Sequence, residues 1–527
     1  MSPAETERQG SGRLALLLAM AMFVLVVDTS LMNVSISAVV NDLGTTVSGV
    51  QSAIALEALV SAAFILISSK VGDLIGRRRA FVLGLLGYAT GALAMTLAQG
   101  LASIFVFWAI IGGLGASLLL PAMQSLIRGN FEGKARTKAY ALVGASAAIA
   151  AAVGPLLGGF LTTLLSWRVG FMLELVVIAV VLANIKLVRD VPYTGSRQID
   201  VSGAILSVLG MGGVVLGILV WQEGGEFVGL IIAIGILALT ALARRLVRRR
   251  REGKVTLLDP DLFGLPGFRL GTFQQMLQNI TLGGAMIALP IFLQISLEYN
   301  ALQTGLTLAP LSLTMFAAAI FAGRRSGNRP PAKIIRLGFA LATVGMGLLV
   351  PLVPAADSGW HLTIPLAIAG GGLGLLVSQL NNYTLAPIDQ ERISEAAGIN
   401  SAAGSFGLSF GLAVAGGILL AVLSLSFTNM TEESAVIPPA QQQAIAEKLD
   451  EDAEVVSNAQ LEKAIAGEPQ EVREEVLRIN SDATNRSLQI ALLVPILAGL
   501  IGLFNSFRMM RLPDIPPSTP VEGAALG

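Results

Sequence analysis

Long apolar runs separated by short polar stretches make up almost the whole chain. A helix of about 20 apolar residues, rising about 1.5 Å per residue, crosses the hydrocarbon core of a bilayer. The pattern predicts fourteen such spans, at 14–38, 47–68, 80–99, 101–123, 138–163, 169–188, 201–221, 227–246, 270–296, 304–323, 334–353, 361–385, 397–426 and 487–507. Because fourteen is an even number, both ends of the chain lie on the same side of the membrane.

Composition agrees with a membrane protein and narrows its chemistry. Of the 527 residues, 54% are hydrophobic and 13% are charged, and the mean hydropathy is +0.73. A soluble domain cannot bury that much apolar surface. The net charge is zero, so nothing favours a nucleic-acid partner, and the lack of cysteine excludes disulfides and thiolate metal sites. No GxxxxGK[ST] loop for ATP is visible.

Loop charges predict the orientation of the spans. Lysine and arginine fall mostly on one side, for example in the loops 69–79 and 244–254, whereas the other side's short loops carry little beyond Arg168. Positive loops stay cytoplasmic, so we expect a multi-pass plasma (inner) membrane protein with both termini in the cytoplasm. The dense run 244–254 is either an orientation signal or a binding site for anionic membrane lipids.

The segment 427–486, between the last two spans, is long, acidic and predicted to be external. Apolar residues recur at near-helical spacing, at Ile445, Leu449, Leu461, Ile465, Val472 and Val476. We therefore expect a small helical hairpin that is opened by Pro438 and Pro439 and divided at 467–469.

The loop 69–79, between spans 2 and 3, combines an acid, glycines and a basic cluster in very few residues. Gly72 and Gly76 allow close backbone approach, and Asp73 can pair with an arginine or with free helix amides. This combination indicates a conformational latch formed by Asp73, Gly76, Arg77 and Arg78. The alternative is a turn whose cations only orient the neighbouring spans.

The same loop resembles the loop signature of the major facilitator superfamily, with Ser69 where the first glycine is usual. Within that superfamily, the first span, with Asp28 and Asn33, resembles the first-span signature of the fourteen-span drug:proton antiporters. The resemblance implies that the loop locks an outward-facing state and releases it during transport.

The fifth span carries a second motif of these antiporters. Its run from Gly154 and Pro155 to Gly158 and Gly159 matches their glycine-proline signature, with Ala150 at the first glycine. Such glycines let helices pack closely, and the proline supplies a hinge where the halves rock. The fourth span departs from the family, because Ala109 stands where an arginine is usual. This departure leaves the mode of proton coupling open.

Three carboxyl groups are predicted to lie at membrane depth, where an unpaired charge is costly and commonly functional. Asp28 lies about 21 Å from the cytoplasmic face and Glu57 near the midplane of a core about 30 Å thick, whereas Glu174 lies in the outer third of span 6. A buried carboxyl group without a cation favours its protonated form, as a proton-exchange site requires. We expect Glu57 to carry protons, Asp28 to contact substrate and Glu174 to be structural.

Amide side chains concentrate in the second half of the chain. Gln274 and Gln278 lie one turn apart on span 9, with Gln275 and Asn279 beside them, and span 12 carries Asn381 and Asn382. Uncharged amides suit a water-filled cavity facing the acids of the first half. Hydrogen bonds between helices are the alternative.

Together these features predict an all-α membrane protein of the major facilitator fold. We expect a six-helix bundle at 1–190, two extra spans and a basic loop at 191–266, and a second six-helix bundle at 267–527. The resemblance implies a monomeric, non-enzymatic transporter without cofactors that exchanges protons for small amphipathic drugs. The alternatives are an exporter of an endogenous lipid or secondary metabolite with atypical coupling, and a non-transporting membrane scaffold.

The external position of segment 427–486 is directly testable, since the chain has no native cysteine. A single cysteine at Ser457 should react with a membrane-impermeant thiol reagent in intact cells. Reaction only after the cells are lysed would contradict the predicted orientation.

Overall fold

Helices form nearly all of the described structure. The computed structural model describes residues 3–131, 133–190, 200–222, 225–324, 330–388, 392–434, 436–437, 461–462, 465–467 and 469–512. The membrane helices are α1 Gly12–Val34, α2 Val47–Ile75, α3 Arg77–Leu97, α4 Leu101–Asn130, α5 Lys138–Leu164, α6 Trp167–Ala183, α7 Val201–Gln222, α8 Val228–Arg251, α9 Pro266–Ser296, α10 Ala301–Ala322, α11 Pro331–Ala355, α12 Gly359–Leu385, α13 Glu395–Glu432 and α14 Gln470–Met509.

The fourteen predicted spans each correspond to one of these helices. Within the described residues, thirteen of them are long and apolar enough to cross a membrane. The remaining helix, α6, is 17 residues long and equally apolar. The predicted all-α membrane fold is therefore confirmed.

Helix packing divides the chain into two bundles with an extra pair between them in sequence. Helices α1–α6 pack together, as do α9–α14, while α7 and α8 pack mainly against each other. Two pairs of helices make the most extensive contacts between the bundles: α2 packs against α13, and α5 packs against α10. In addition, α7 contacts both α2 and α13. The space left between the bundles lies beside these contacts.

The first span ends earlier than its apolar run predicts. Helix α1 stops at Val34, and a separate short helix, Ile36–Leu43, follows it. The Ser35 hydroxyl at the break donates to the carbonyl of Leu31 at 2.8 Å and bonds to Thr162 of α5. Asp42 of the short helix pairs with Arg168 and accepts from the Trp167 indole at 3.0 Å. The break therefore lets the chain cross over to the outer end of α6.

Residues 470–486, the C-terminal part of the segment 427–486, differ from the predicted hairpin. Helices α13 and α14 continue well beyond the predicted spans, and residues 470–486 belong to α14 rather than to a separate arm. Val472 and Val476 are buried, and the Ser434 hydroxyl bonds to Glu475 at 2.8 Å. The helix continues because its apolar side packs along α13. Ile445, Leu449, Pro438, Pro439 and Ser457 lie outside the described residues.

Ion pairs engage much of the basic run 244–254. Asp200, just before α7, accepts from Arg245 at 2.8 Å and from the amide of Gly203 at 3.1 Å. Burial raises the pKa of Asp200, but these hydrogen bonds and the nearby Arg249 outweigh it and hold the pKa below its usual range. Arg250 pairs with Asp261 at 2.6 Å. The run therefore fastens α8 to α7 and to the following loop.

Candidate functional site

A cavity of about 240 Å³ lies between the bundles, toward the predicted cytoplasmic side. This inner cavity is lined by α1, α2, α4, α5, α9 and α13. Its polar side chains are Thr29, Glu57, Ser61, Gln124, Tyr140, Gln275, Asn279, Asn400, Ser401 and Ser405. Glu57 supplies the carboxyl group, and no lysine or arginine belongs to the described lining.

A second cavity of about 240 Å³, here called the outer cavity, adjoins the first and is mainly apolar. It is lined by α1, α5, α9 and α10, and by Leu408 of α13. Its lining includes Val34, Leu282, Ala285, Met286, Leu289, Leu308, Leu311 and Met315, with Asn33, Ser30 and Ser312 as polar members. Leu25, Val26, Thr29 and Leu408 line both cavities. The two cavities therefore form one amphipathic space, polar at the inner end and apolar at the outer end.

At the end of this space that is predicted to face outward, α5 and α10 cross in close contact. A Cβ atom on Gly159 would overlap the backbone of Ala301, and one on Gly305 would overlap the carbonyl of Pro155. The amide of Leu302 also donates to Thr163 at 3.0 Å. Only glycines permit this backbone approach, so the crossing holds the outer ends of the two bundles together.

The remaining glycines of the fifth-span motif face α1. A Cβ on Gly154 would lie 3.0 Å from the Ser30 hydroxyl oxygen, and one on Gly158 would lie 2.9 Å from the Leu31 backbone. Hence the motif gives α5 two smooth faces, one for α1 in its own bundle and one for α10 in the other. Its role as a hinge remains a prediction.

Asp28 lies behind the cavity wall, inside the N-terminal bundle. Its side chain is 1% exposed and is absent from the described linings of both cavities. Tyr88 donates its hydroxyl to one carboxyl oxygen, and the Trp108 indole donates at 3.0 Å. Trp108 lies in a π-helical stretch of α4, Ile104–Gly112, which also contains Ala109. Contact between Asp28 and a molecule in the cavity would therefore require another conformation.

Glu174 is also inside the N-terminal bundle, rather than facing lipid. It is 3% exposed, and neither carboxyl oxygen bonds to a described residue. Glu174 and Asp28 are thus two buried carboxyl groups inside the N-terminal bundle, while Glu57 lies in the cavity wall of the same bundle.

The amides predicted for the cavity occupy mixed positions. Gln274 donates to the carbonyl of Gly502 at 2.9 Å, and Asn381 accepts from Asn400 at 2.9 Å. The described linings of the two cavities include none of the four predicted amides, Gln274, Gln278, Asn381 and Asn382. Instead Gln275 and Asn279 face the inner cavity. One position along a helix turns a side chain by about 100°, which the spacing of the glutamines alone does not resolve.

The loop 69–79 is bonded to itself and to Asp190, in the segment that follows α6. Asp73 pairs with Arg77, which also donates to the carbonyl of Ser69 at 3.2 Å. Gly76 has φ of +99°, a left-handed conformation that favours glycine, and lies against Asp190. The amide of Arg78 donates to Asp190 at 3.0 Å. The four predicted latch residues are therefore brought together on the predicted cytoplasmic side.

Several polar residues of the inner cavity carried no sequence signal that set them apart. Gln124, Tyr140, Asn400, Ser401 and Ser405 lie in apolar or small-residue runs and match no motif. Among the described residues, no group of three or more histidine, aspartate or glutamate side chains could hold a metal ion. The polar side chains that the inner cavity offers are one carboxyl group, amides and hydroxyls.

Named proteins of similar sequence are transporters and resistance proteins. The chain is 30% identical over 431 residues to the cephamycin export protein CmcT of Amycolatopsis lactamdurans, covering 78% of this chain and 85% of the relative. It is 26% identical to the probable actinorhodin transporter of Streptomyces coelicolor, over 77% and 72% of the two chains. It is 27% identical to the multidrug resistance protein Stp of Mycobacterium tuberculosis, over 81% and 79%.

Solved structures share the fold at low identity. A bacterial homologue of the human lysosomal transporter Spinster, in an inward-facing and unoccupied conformation, has a TM-score of 0.60 and 13% identity over 95% of this chain and 98% of that one. A D-xylose-proton symporter has a TM-score of 0.58 and 12% identity over 96% and 99%. The sequence model of the Major Facilitator Superfamily matches residues 18–412. By fold and by sequence, the chain is a multi-pass membrane protein that belongs to the Major Facilitator Superfamily.

Proposed function

We propose that this protein exports small amphipathic molecules, drugs among them, and that inward proton movement drives the export. The observation that carries the proposal is the amphipathic space between the bundles, with a carboxyl group at its polar end. A cavity between two bundles is reached from either side when the bundles rock about it. The named relatives, among them an export protein and a multidrug resistance protein, support this direction of transport.

The inner cavity suits the polar or cationic part of a substrate. Glu57 offers a carboxylate with no competing cation in the described lining, while the side chains of Gln275, Asn279 and Asn400 both donate and accept hydrogen bonds. A cation binds well there when Glu57 is ionised and poorly when it is protonated. Proton and substrate therefore compete for one side chain, which is the minimal requirement for antiport.

The outer cavity suits the apolar part of the same molecule. Its methionines, Met286 and Met315, adapt to differently shaped apolar groups because their side chains are unbranched and polarizable. Burial of apolar surface contributes about 0.8 kcal/mol for each CH₂ group. The outer cavity can therefore accept apolar groups of different shapes, so we expect substrates that share an amphipathic character rather than one fixed shape.

Glu57 is the proton-exchange group in this proposal because it lies in the cavity wall. Asp28 and Glu174 lie deeper, inside the N-terminal bundle, and neither belongs to the described lining of the two cavities. Ala109 stands at the position of the usual arginine, so α4 carries no cation there. Proton loading then rests on the carboxyl groups themselves.

The loop 69–79 acts as the conformational latch in the same cycle. Its ion pair between Asp73 and Arg77 is buried, and both residues lie where α2 and α3 meet on the predicted cytoplasmic side. A buried pair that loses one charge leaves the other uncompensated, so its rearrangement is costly and stepwise. Such a loop stabilises one arrangement of the bundle ends until the cycle releases it.

A second candidate is export of an endogenous secondary metabolite or lipid. The relatives named for actinorhodin and cephamycin favour this reading, and the apolar outer cavity is compatible with it. In both cases we infer a monomer in the plasma (inner) membrane with cytoplasmic termini, and the domain boundaries near 190 and 266 given above. A substrate screen in a host without its own efflux pumps separates drugs from endogenous compounds.

The coupling proposal is tested by Glu57→Gln in proteoliposomes under an imposed pH gradient. Gradient-driven transport should be lost, whereas binding of neutral compounds should change little, because the substitution keeps the size and removes the titratable proton. Asp28→Asn is the matched variant. It should weaken the binding of cationic and of neutral compounds in the same proportion, since Asp28 lies behind the cavity wall. Undiminished gradient-driven transport by Glu57→Gln would refute the assignment.

The role of the outer cavity is tested by Ala285→Leu, with binding measured for a series of alkyltrimethylammonium ions of increasing chain length. In the parent protein, affinity should rise up to about fourfold for each added CH₂ until the alkyl chain fills the outer cavity. In Ala285→Leu the rise should stop at a shorter chain. The control, Ala58→Leu in the inner cavity, should leave that chain length unchanged. Equal limits in the parent and Ala285→Leu would exclude the outer cavity as the apolar site.

The latch is tested by Asp73→Asn, which removes the charge of the pair without changing its size. The variant should insert into the membrane and elute as a single species in size-exclusion chromatography. Its transport rate should nevertheless fall severalfold, because Arg77 loses its ion pair with Asp73. Transport at the parent rate would mean that the loop only orients the spans.

A further inference from the structure

The last residue of α7, Gln222, bridges the two bundles. Its side-chain amide donates to the carbonyl of Ala413 on α13, and its oxygen accepts from the Ser52 hydroxyl on α2 at 3.3 Å. Helix α2 belongs to the N-terminal bundle and α13 to the C-terminal one. One side chain of an extra helix is therefore bonded to both halves at once.

Two glycines of α13 make room for this bridge. A Cβ atom on Gly416 would lie 2.8 Å from the Gln222 amide nitrogen, and one on Gly417 would lie 2.8 Å from the ring of Trp221. Any larger residue at these positions would displace the end of α7. The close fit shows that α7 is packed into the contact between α2 and α13, rather than lying loosely beside the bundles.

A second glutamine, Gln51, lies beside Gln222, but its side chain forms no hydrogen bond with a described residue. Gln51 of α2 is 1% exposed, and neither polar atom of its side chain bonds to a described residue. Its oxygen would lie 3.5 Å from a Cβ on Gly416, so it shares the pocket of Gln222. A buried amide without a partner is destabilising, and the cost falls when the site opens to water.

In the predicted orientation, the bridge lies in the outer half of the membrane, where the bundles must part for release. Ser52 is near the outer start of α2, and Gln222 is at the outer end of α7. Outward opening separates α2 from α13 at this level, so at least one of the two hydrogen bonds of Gln222 must break. The same movement exposes Gln51.

We propose that Gln222 is a positioning residue of the transport cycle, an amide clamp by which α7 holds the outer ends of the bundles closed, while Gln51 favours opening. This assigns the extra helix pair a part in setting the balance of conformations. The proposal concerns the conformations of the export cycle proposed above, but its readout needs neither substrate nor protons. A failure of the export proposal therefore remains distinguishable from a failure of the clamp.

The test uses pairs of nitroxide spin labels on the full chain, which has no native cysteine. The outer pair, at Leu165→Cys and Trp360→Cys, places one exposed label on each bundle. The inner pair, at Arg79→Cys and Lys333→Cys, does the same at the opposite end. Distances within each pair, measured by double electron–electron resonance in lipid nanodiscs, report the ratio of outward-open to outward-closed protein.

Gln222→Met should raise this ratio about three- to tenfold, the effect expected from the net loss of one interior hydrogen bond or more. Gly416→Ala should shift it in the same direction, because the added methyl group displaces the amide while Gln222 itself is retained. Gln51→Met, introduced into the Gln222→Met variant, should shift the ratio back toward the closed form.

The control is Gln489→Met, which removes a glutamine that donates to the carbonyl of Val350 at 2.8 Å within the C-terminal bundle. It should leave the ratio unchanged. Unchanged distances in Gln222→Met would overturn the clamp. A further shift toward the outward-open form when Gln51→Met is added to Gln222→Met would overturn it as well. Should Gln222→Met fail to fold, Gly416→Ala decides the question by the same criterion.

Discussion

Close backbone contact between the two bundles is the constraint on which the rest of this structure depends. In a bilayer, lipid is as apolar as the helix surfaces, so helices associate through tight packing and hydrogen bonds rather than through the hydrophobic effect. Here the contact is concentrated at two crossings, α5 with α10 at Gly159 and Gly305, and α2 with α13 near Ser409, whose hydroxyl bonds to the carbonyl of Ala55 at 2.7 Å. The amphipathic space exists because the bundles touch there and diverge elsewhere.

The two bundles contribute different chemistry to that space. The N-terminal bundle carries the carboxyl groups, with Glu57 in the wall and Asp28 and Glu174 behind it. The C-terminal bundle supplies amides and hydroxyls to the inner cavity, such as Gln275 and Asn400, and most of the apolar lining of the outer cavity. In the proposed export cycle, proton exchange and substrate binding therefore meet at the boundary between the bundles, which is also the surface that would change as the bundles rock.

Sequence reasoning predicted the helices well because the hydrocarbon core sets their length and hydropathy. It was less able to predict where side chains point. The glutamines of α9 were identified, but the pair facing the cavity is Gln275 and Asn279 rather than Gln274 and Gln278. Likewise Asp28 was assigned a place against substrate, and it is instead held by Tyr88 and Trp108. Helix rotation depends on packing partners that are distant in the sequence, such as Gly502 for Gln274. The bridge made by Gln222 was missed for the same reason.

Proton antiport can be measured most directly by driving it backwards. Proteoliposomes are loaded with a pH-sensitive dye, and the pH is made equal inside and outside. A transported amphipathic cation is then added to the external solution at high concentration. If substrate and proton share the cavity, entry of the cation should expel protons, and the interior should become alkaline at a rate that saturates with substrate. A substrate flux with no proton movement would contradict proton-coupled export by this protein.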